Sequence, residues 1–248
     1  MASTVSMRFY AELNDFLLPE KRQVPFSHPF LGRPTVKDLI ESLGVPHTEV
    51  DLILVDHKSV DFSYRVRYGN HISIYPVFEA LDIRPILRVR PEPLREPSFI
   101  LDTHLGRLAG YLRMAGFDTL YQNNYTDETL ASTSSGEKRI LLTRDRGLLK
   151  RSVVTHGYLV RSGNPQEQLK EVLHRFDLFN SMKPFSLCMR CNEPLRAIPS
   201  AEAKSKVPHR VWEQFSSYKS CPVCGRIYWK GSHYQKMTSL ISLIREKA

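Results

Sequence analysis

Two cysteine pairs constrain this chain more than any other feature. Cys188-Met-Arg-Cys191 and Cys221-Pro-Val-Cys224 are CxxC turns separated by residues 192–220, and they use all 4 cysteines of the 248-residue sequence. A CxxC turn places two thiolates on one side of a tetrahedral ion, and a second such turn completes a closed four-thiolate zinc site. Closed coordination leaves no position for substrate. Cys188, Cys191, Cys221 and Cys224 are therefore expected to hold a structural Zn²⁺ in a zinc ribbon. Two redox pairs, or four thiols with no shared role, are the other readings; Pro222 and Gly225 around the second pair favour knuckle turns. Four cysteines are too few for a disulfide scaffold in a chain of this size. The stretch between the pairs is longer than in a compact ribbon, and a two-strand insert is expected to fill it.

The charge lies at the same end. The formal net charge is +9, and residues 181–248 hold 12 Lys/Arg against 4 Asp/Glu, a net +8. Residues 1–97 hold 12 against 13, and residues 98–180 hold 11 against 9. A basic segment of this kind favours a polyanionic partner, although a solvated basic surface would have the same composition. Arg190, Arg226 and Lys230 interleave with Tyr228 and Trp229 around the cysteines. Cations pair with phosphates and rings stack on unpaired bases, so a nucleic acid is a polyanion that this pattern would fit. The same rings can equally pack beside a metal. The chain has no apolar run near the roughly 18 residues that span a bilayer. Its first residues lack a charged region followed by an apolar one. A cytoplasmic protein with no membrane partner is expected.

Three prolines in Pro91-Glu-Pro93-Leu-Arg-Glu-Pro97 read as a stiff linker. A second break precedes the first cysteine pair. The expected divisions are residues 1–90, a linker at 91–97, residues 98–180, and residues 181–248 ending in a basic tail. In the first division, Val5–Leu13 and Val24–Phe30 read as strands. Thr35 caps a helix carrying Val36, Leu39, Ile40 and Leu43, Gly44 stops it, and Leu52–Val55 is an apolar strand. Asp61–Val66 and His71–Tyr75 read as a hairpin around Tyr68-Gly69-Asn70. This order is the plan of a β-grasp domain. With the stretches 59–70 and 75–79, it resembles the ubiquitin-like domain that precedes Mut7-C ribonuclease domains, itself similar to sulfur carriers. Sulfur carriers act through a terminal Gly-Gly, and the sequence contains no such dipeptide. The resemblance then implies a surface that docks a protein partner or positions RNA.

Residues 98–180 alternate strand and helix. Ser98–Leu101 is a strand ending at Asp102, and His104–Ala115 is a helix closed by Gly116. Asp118–Tyr121 is a strand, Thr126 caps a helix opening with Asp127 and Glu128, and Arg139–Thr143 leads to Asp145. Gly157–Arg161 is a strand, and Asn164-Pro165 opens a last helix. Repeated βα units predict a parallel sheet covered by helices. Ligands bind beyond the carboxyl ends of such strands, and acids recur there. A carboxylate set suits Mg²⁺ or Mn²⁺, which stabilises phosphoryl charge and activates water. Taken singly, each acid is also an ordinary turn former or helix cap. Arg107 and Arg113 on the first helix of this division, and Arg144 and Arg146 beside Asp145, could touch phosphate near the scissile bond and could equally be paired with the acids. His104 and His233 read as structural.

The motifs Phe99-Ile-Leu-Asp102-Thr-His-Leu-Gly-Arg-Leu-Ala109, Leu112-Arg-Met-Ala-Gly116-Phe-Asp118 and Leu141-Leu-Thr-Arg-Asp145 resemble the Mut7-C ribonuclease domain, a PIN-like nuclease fold. The likeness continues through both cysteine pairs to Tyr228-Trp-Lys-Gly-Ser-His233. It implies an α/β architecture: a PIN-like parallel sheet flanked by helices, with an N-terminal β-grasp domain and a C-terminal zinc ribbon. It also implies that Asp102, Asp127 or Glu128, and Asp145 hold the catalytic ion. Many PIN nucleases place a fourth acid just after the third; here Arg146 follows Asp145. The expected activity is metal-dependent hydrolysis of RNA, with Arg107, Arg144, Arg190, Arg226 and Lys230 gripping the substrate. An RNA-binding protein with a degenerate site is the alternative, and a protein-interaction adaptor is a third.

Overall fold

A computed structural model describes residues 3–76, 88–89 and 97–246. Most of the expected linker, residues 91–96, lies outside the described residues. The chain divides into two compact units, Met1–Glu96 with Tyr125–Val160 and Pro97–Asn124 with Arg161–Ala248.

The first unit begins with β1 (Ser3–Phe9), β2 (Phe26–Phe30), α1 (Val36–Ser42), β3 (Leu52–Val55), β4 (Lys58–Val60) and β5 (His71–Tyr75). They form a five-stranded sheet in the order β2-β1-β5-β3-β4. β1 runs antiparallel to β2 and parallel to β5, and β3 is antiparallel to β4 and β5. This is a β-grasp domain. Alternate residues Val5, Met7 and Phe9 of β1 are buried, as are Ile72 and Ile74 of β5, because side chains on a strand face opposite sides in turn. Val36, Leu39 and Ile40 of α1 close the core over that face. The start of α1 is fixed twice. Thr35 Oγ1 accepts from the Asp38 amide (3.2 Å), while Asp38 Oδ2 accepts from the Thr35 amide (2.7 Å). Gly44 leaves the helix with φ +94°.

Two expectations are corrected here. β1 ends at Phe9, and Ala11–Phe16 coils into a 3₁₀ turn that buries Leu13 and Phe16. Nor do Asp61–Val66 and His71–Tyr75 form a hairpin. Arg65 makes only an isolated bridge to Thr35, and the hairpin is β3–β4, turned at Asp56 and His57. Both turn residues have positive φ, +49° and +67°.

The chain continues with β6 (Phe99–Leu101), α2 (Gly106–Ala115), β7 (Thr119–Tyr121), α3 (Asp127–Gly136), β8 (Ile140–Thr143), α4 (Arg146–Leu149), β9 (Gly157–Leu159) and α5 (Pro165–Arg175). This is the α/β part, where β6 pairs with β7 and β8 with β9, both in parallel. Strands β6, β8 and β9 are almost wholly buried apolar runs, as helix-covered parallel strands are. α3 forms despite its Ser-rich sequence. Thr126 caps it, Leu130, Ala131 and Ser134 turn inward, and Ser134 Oγ donates to the Arg139 carbonyl (2.8 Å).

Within the first unit, the β-grasp domain is joined to the β8–β9 region by buried and partly buried polar groups. Glu49 Oε1 accepts from the Leu159 amide (2.6 Å), Lys150 Nζ donates to the Glu41 carbonyl (2.8 Å), and His47 bridges Glu41 Oε1 (2.6 Å) and the Val154 carbonyl (2.8 Å). Arg146 lies over the Phe16 ring, 5.1 Å from its centroid.

The second unit holds β6, α2, β7 and α5 together with the cysteine region. That region contains β10 (Arg196–Ile198), α6 (Ser200–Ala203), α7 (His209–Gln214), β11 (Tyr218–Ser220), β12 (Ile227–Trp229) and α8 (Ser232–Glu246). The three strands form an antiparallel sheet in the order β10-β11-β12. The expected two-strand insert is present as β10 and β11, with α6 and α7 between them. Where a tail was expected, α8 runs fifteen residues and buries Ile241 and Ile244.

Candidate functional site

The two CxxC turns are built alike. Cys188 N–H donates to the Glu193 carbonyl (2.8 Å), and Cys221 N–H donates to that of Arg226 (3.0 Å). The residue after each second cysteine returns a bond to the first cysteine's carbonyl, from Asn192 (2.9 Å) and Gly225 (3.0 Å). Both residues are left-handed, at φ +68° and +69°. Gly carries no penalty there, and Asn is among the few residues that tolerate it. Amides of Cys191 and Cys224 point at the sulfurs of Cys188 (3.4 Å) and Cys221 (3.5 Å).

All four Sγ atoms lie within 4.8 Å of one another, and Cys188 and Cys224 are 3.7 Å apart. All four are free thiols. Ligands at about 2.3 Å from a tetrahedral ion stand about 3.8 Å apart, so the sulfurs fit one such ion. Burial pushes the Cys188 thiol up, but hydrogen bonds from the Tyr228 hydroxyl (3.1 Å) and the Cys191 and Arg190 amides outweigh it and bring it down to about 7. Burial and the neighbouring cysteines push Cys191 up to about 12. Burial raises Cys221 as well. The protein's own donors thus sustain one thiolate. Four at this spacing call for a cation.

Helix α2 carries the first turn. Arg113, only 6% exposed, donates through Nε to the Thr119 carbonyl (2.9 Å) and through Nη1 to the carbonyls of Met189 (3.1 Å) and Arg190 (2.8 Å). Asn192 Oδ1 accepts from the Thr119 amide (2.9 Å), and its Nδ2 donates to Asp118. Arg113 is therefore a strut beneath the cysteines, which corrects its reading as a phosphate contact. The sequence carries no local signal for this, because the partner carbonyls lie 76 and 77 residues away.

The acids have individual surroundings. Asp102 directly follows β6 and is 8% exposed; its Oδ1 accepts from the Thr103 amide (2.6 Å) and hydroxyl (3.2 Å). The Thr103 carbonyl accepts from the Tyr121 hydroxyl (2.9 Å). Gly106 starts α2 against that ring, where a Cβ would lie 2.6 Å from the hydroxyl. Asp145 follows β8 by two residues and is exposed. Its Oδ1 caps α4 through the Gly147 amide (2.7 Å), and its own amide donates to Thr143 Oγ1 (2.9 Å). Asp127 and Glu128 are exposed in the first turn of α3. Among the described residues, the four cysteines are the one group of three or more ligand side chains close enough to share an ion.

Of the expected RNA contacts, Arg107, Arg144, Arg190, Arg226 and Lys230 are all exposed. Arg107 lies in the first turn of α2 and Arg144 between β8 and Asp145. Arg190 lies inside the first cysteine turn, Arg226 just after the second, and Lys230 at the end of β12. Arg146 is held over Phe16.

Among curated proteins, none matches this chain. Two family models do: the Mut7-C ubiquitin model over residues 2–82, and the Mut7-C RNAse domain model over residues 97–241. The second covers more than half of the sequence, including Asp102, Asp127, Glu128, Asp145 and the four cysteines. The chain belongs to the Mut7-C RNAse domain family, with a Mut7-C ubiquitin domain preceding it.

Proposed function

We propose that this protein is a metal-dependent ribonuclease that hydrolyses RNA phosphodiester bonds and carries a structural Zn²⁺ on its four cysteines. The observation that carries the reading is the Mut7-C RNAse match over residues 97–241, within which Asp102 and Asp145 each follow the carboxyl end of a parallel strand. Asp102, Asp145 and one of Asp127 and Glu128 are the ligands assigned to the catalytic ion. Oxygen donors of this kind fit Mg²⁺ or Mn²⁺. Mg²⁺ keeps several waters and needs one or two carboxylates plus substrate phosphate, so a preformed cage is not required. When bound, such an ion supplies counter-charge to the phosphoryl oxygens and lowers the pKa of a bound water. Thr103, Tyr121 and Gly106 fix Asp102, and Thr143 and Gly147 fix Asp145. Arg107 and Arg144 are assigned to phosphates near the scissile bond. Arg190, Arg226 and Lys230 are assigned to the RNA beyond it. Zinc is the ion assigned to the thiols because four soft ligands in a tetrahedron suit it. A cytoplasmic location is assigned with this, since four zinc-binding thiols outside any disulfide suit a reducing compartment. The ubiquitin-like sheet is assigned to a protein partner.

A second reading, RNA binding without cleavage, has a specific observation in its favour. Asp102 and Asp145 each commit one oxygen to a cap, and the position after Asp145 is an arginine held over Phe16. Incubating zinc-loaded protein with total cellular RNA and Mg²⁺ or Mn²⁺, then mapping new ends, separates the two. Ribonuclease activity produces new ends only with the added ion. Retention of RNA without new ends supports the second reading.

A further inference from the structure

A cleft of about 770 Å³ opens in the second unit between β12, the start of α8 and the segment before the first cysteine turn. Its size is that of a small-ligand site. Rings of Phe185 and Tyr234 stand on it with centroids 4.3 Å apart and planes tilted by 40°, and Trp229 joins them. Met114, Met189 and Met237 supply deformable thioether surface. Lys219, Arg226 and Lys230 are exposed on the lining, and no carboxylate is among the lining residues.

The combination selects one occupant. Lys219 Nζ donates to the Phe185 carbonyl (3.0 Å) and Lys230 Nζ lies 6.0 Å from the Tyr234 ring centroid, so two of the cations are held beside the rings. A purely apolar ligand leaves their charge unmatched, and an acidic peptide without rings leaves the aromatic faces uncovered. An unpaired nucleotide satisfies both, with its base against the rings and its phosphates at the cations. In a duplex the bases are already stacked inside the helix. We infer that this cleft holds an unpaired base of single-stranded RNA, next to the cysteine centre. No Asn, Gln, Asp or Glu lines it, and those side chains read A and C edges. Stacking itself carries little sequence preference, and Lys219, Arg226 and Lys230 are the lining side chains able to read a guanine edge. The inference rests on the reading of RNA as substrate, and it adds the strandedness of the RNA and the residues that sense it.

The chain has 2 tryptophans. In full-length Trp212→Phe protein, zinc-loaded and without Mg²⁺ or Mn²⁺, the remaining Trp229 therefore reports on the cleft. A single-stranded oligoribonucleotide of mixed sequence is expected to quench its fluorescence to saturation, and a duplex of equal length is not. Tyr234→Leu and Phe185→Leu, with zinc content unchanged, are each expected to weaken single-strand affinity by about fivefold or more, the weight of one stacked base. Their duplex affinity should hold. Equal quenching by duplex overturns the inference, as does unchanged single-strand affinity in both variants. Quenching on concentrating the protein alone assigns the cleft to a second copy and also overturns it. Cleavage is scored separately: quenching without metal-dependent cutting rejects the nuclease reading alone, and cutting without quenching rejects the cleft alone.

Discussion

Gly116 meets two demands at once. It ends α2 at φ +95°, and a Cβ there would collide with the Lys183 carbonyl oxygen. Close approach is needed because Lys183 and Phe185 donate backbone bonds to the carbonyls of Ala115 (3.0 Å) and Met114 (2.9 Å), which leads the chain toward the first cysteine turn. Gly116→Ala should destabilise by more than the roughly 1–2 kcal/mol of a left-handed L-residue. That lowers the thermal midpoint by at least about 2 °C in a chain of this length. Gly110, in the same helix, has open space at its Cβ position, so Gly110→Ala should raise the midpoint through helix propensity. Equal effects from both would refute this account. At this scale the sequence was readable where a residue's partner is close. Gly116, Thr35 and Asn164 end or begin helices as expected. Arg113 was misread because its carbonyl partners arrive only with tertiary structure.

The cysteine turns and the β3–β4 hairpin behave differently as elements. Matching backbone bonds around Asn192 and Gly225 bring the sulfurs to ion-binding distance. Metal binding there is then folding free energy. Elemental analysis of reduced protein should find one zinc per chain, and Cys221→Ser should lose the ion and melt the β10–β12 sheet without melting the β-grasp sheet. Absence of zinc would contradict it. The acids at turns of the β-grasp domain set an acid limit. Asp56 is held below the usual carboxylate range by the His71 amide (2.8 Å) and then Asn70, and Asp38 by the Thr35 hydroxyl and amide. A carboxyl depressed in the folded state stabilises at neutral pH, and that stability is lost as pH falls through the carboxylate range. Asp56→Asn should flatten the acid side of a midpoint-against-pH curve, and an unaltered slope would argue against it. The cysteine turns were visible because their spacing is local chemistry. The hairpin was missed because Asp56-His57 adopts positive φ without a glycine to signal it. α8 was legible in principle, since Met237, Leu240, Ile241 and Ile244 repeat at helical spacing, but the basic charge of the segment does not distinguish a helix from a tail.

At the scale of the whole molecule, the β-grasp domain is part of a unit with β8 and β9. Glu49 and His47 supply buried polar bonds across that junction and Lys150 a partly buried one, at 2.6–2.8 Å. The order of βα units was legible from period and punctuation. This junction was not, because it pairs residues 107 to 110 apart. No helix among the described residues is long and apolar enough to cross a membrane. The central claim is that acids at strand ends hold the ion that cuts RNA. The direct measurement compares wild type, Asp102→Asn and Asp145→Asn, each verified folded and zinc-loaded, for cleavage of single-stranded RNA with Mn²⁺ or Mg²⁺. Each Asn keeps its side-chain shape and cap acceptor but removes the charge that binds the ion. The account predicts at least about a hundredfold loss of cleavage, on the order of the contribution of a positioned acid–base group, with RNA binding retained. Cleavage by both variants at the wild-type rate would contradict it.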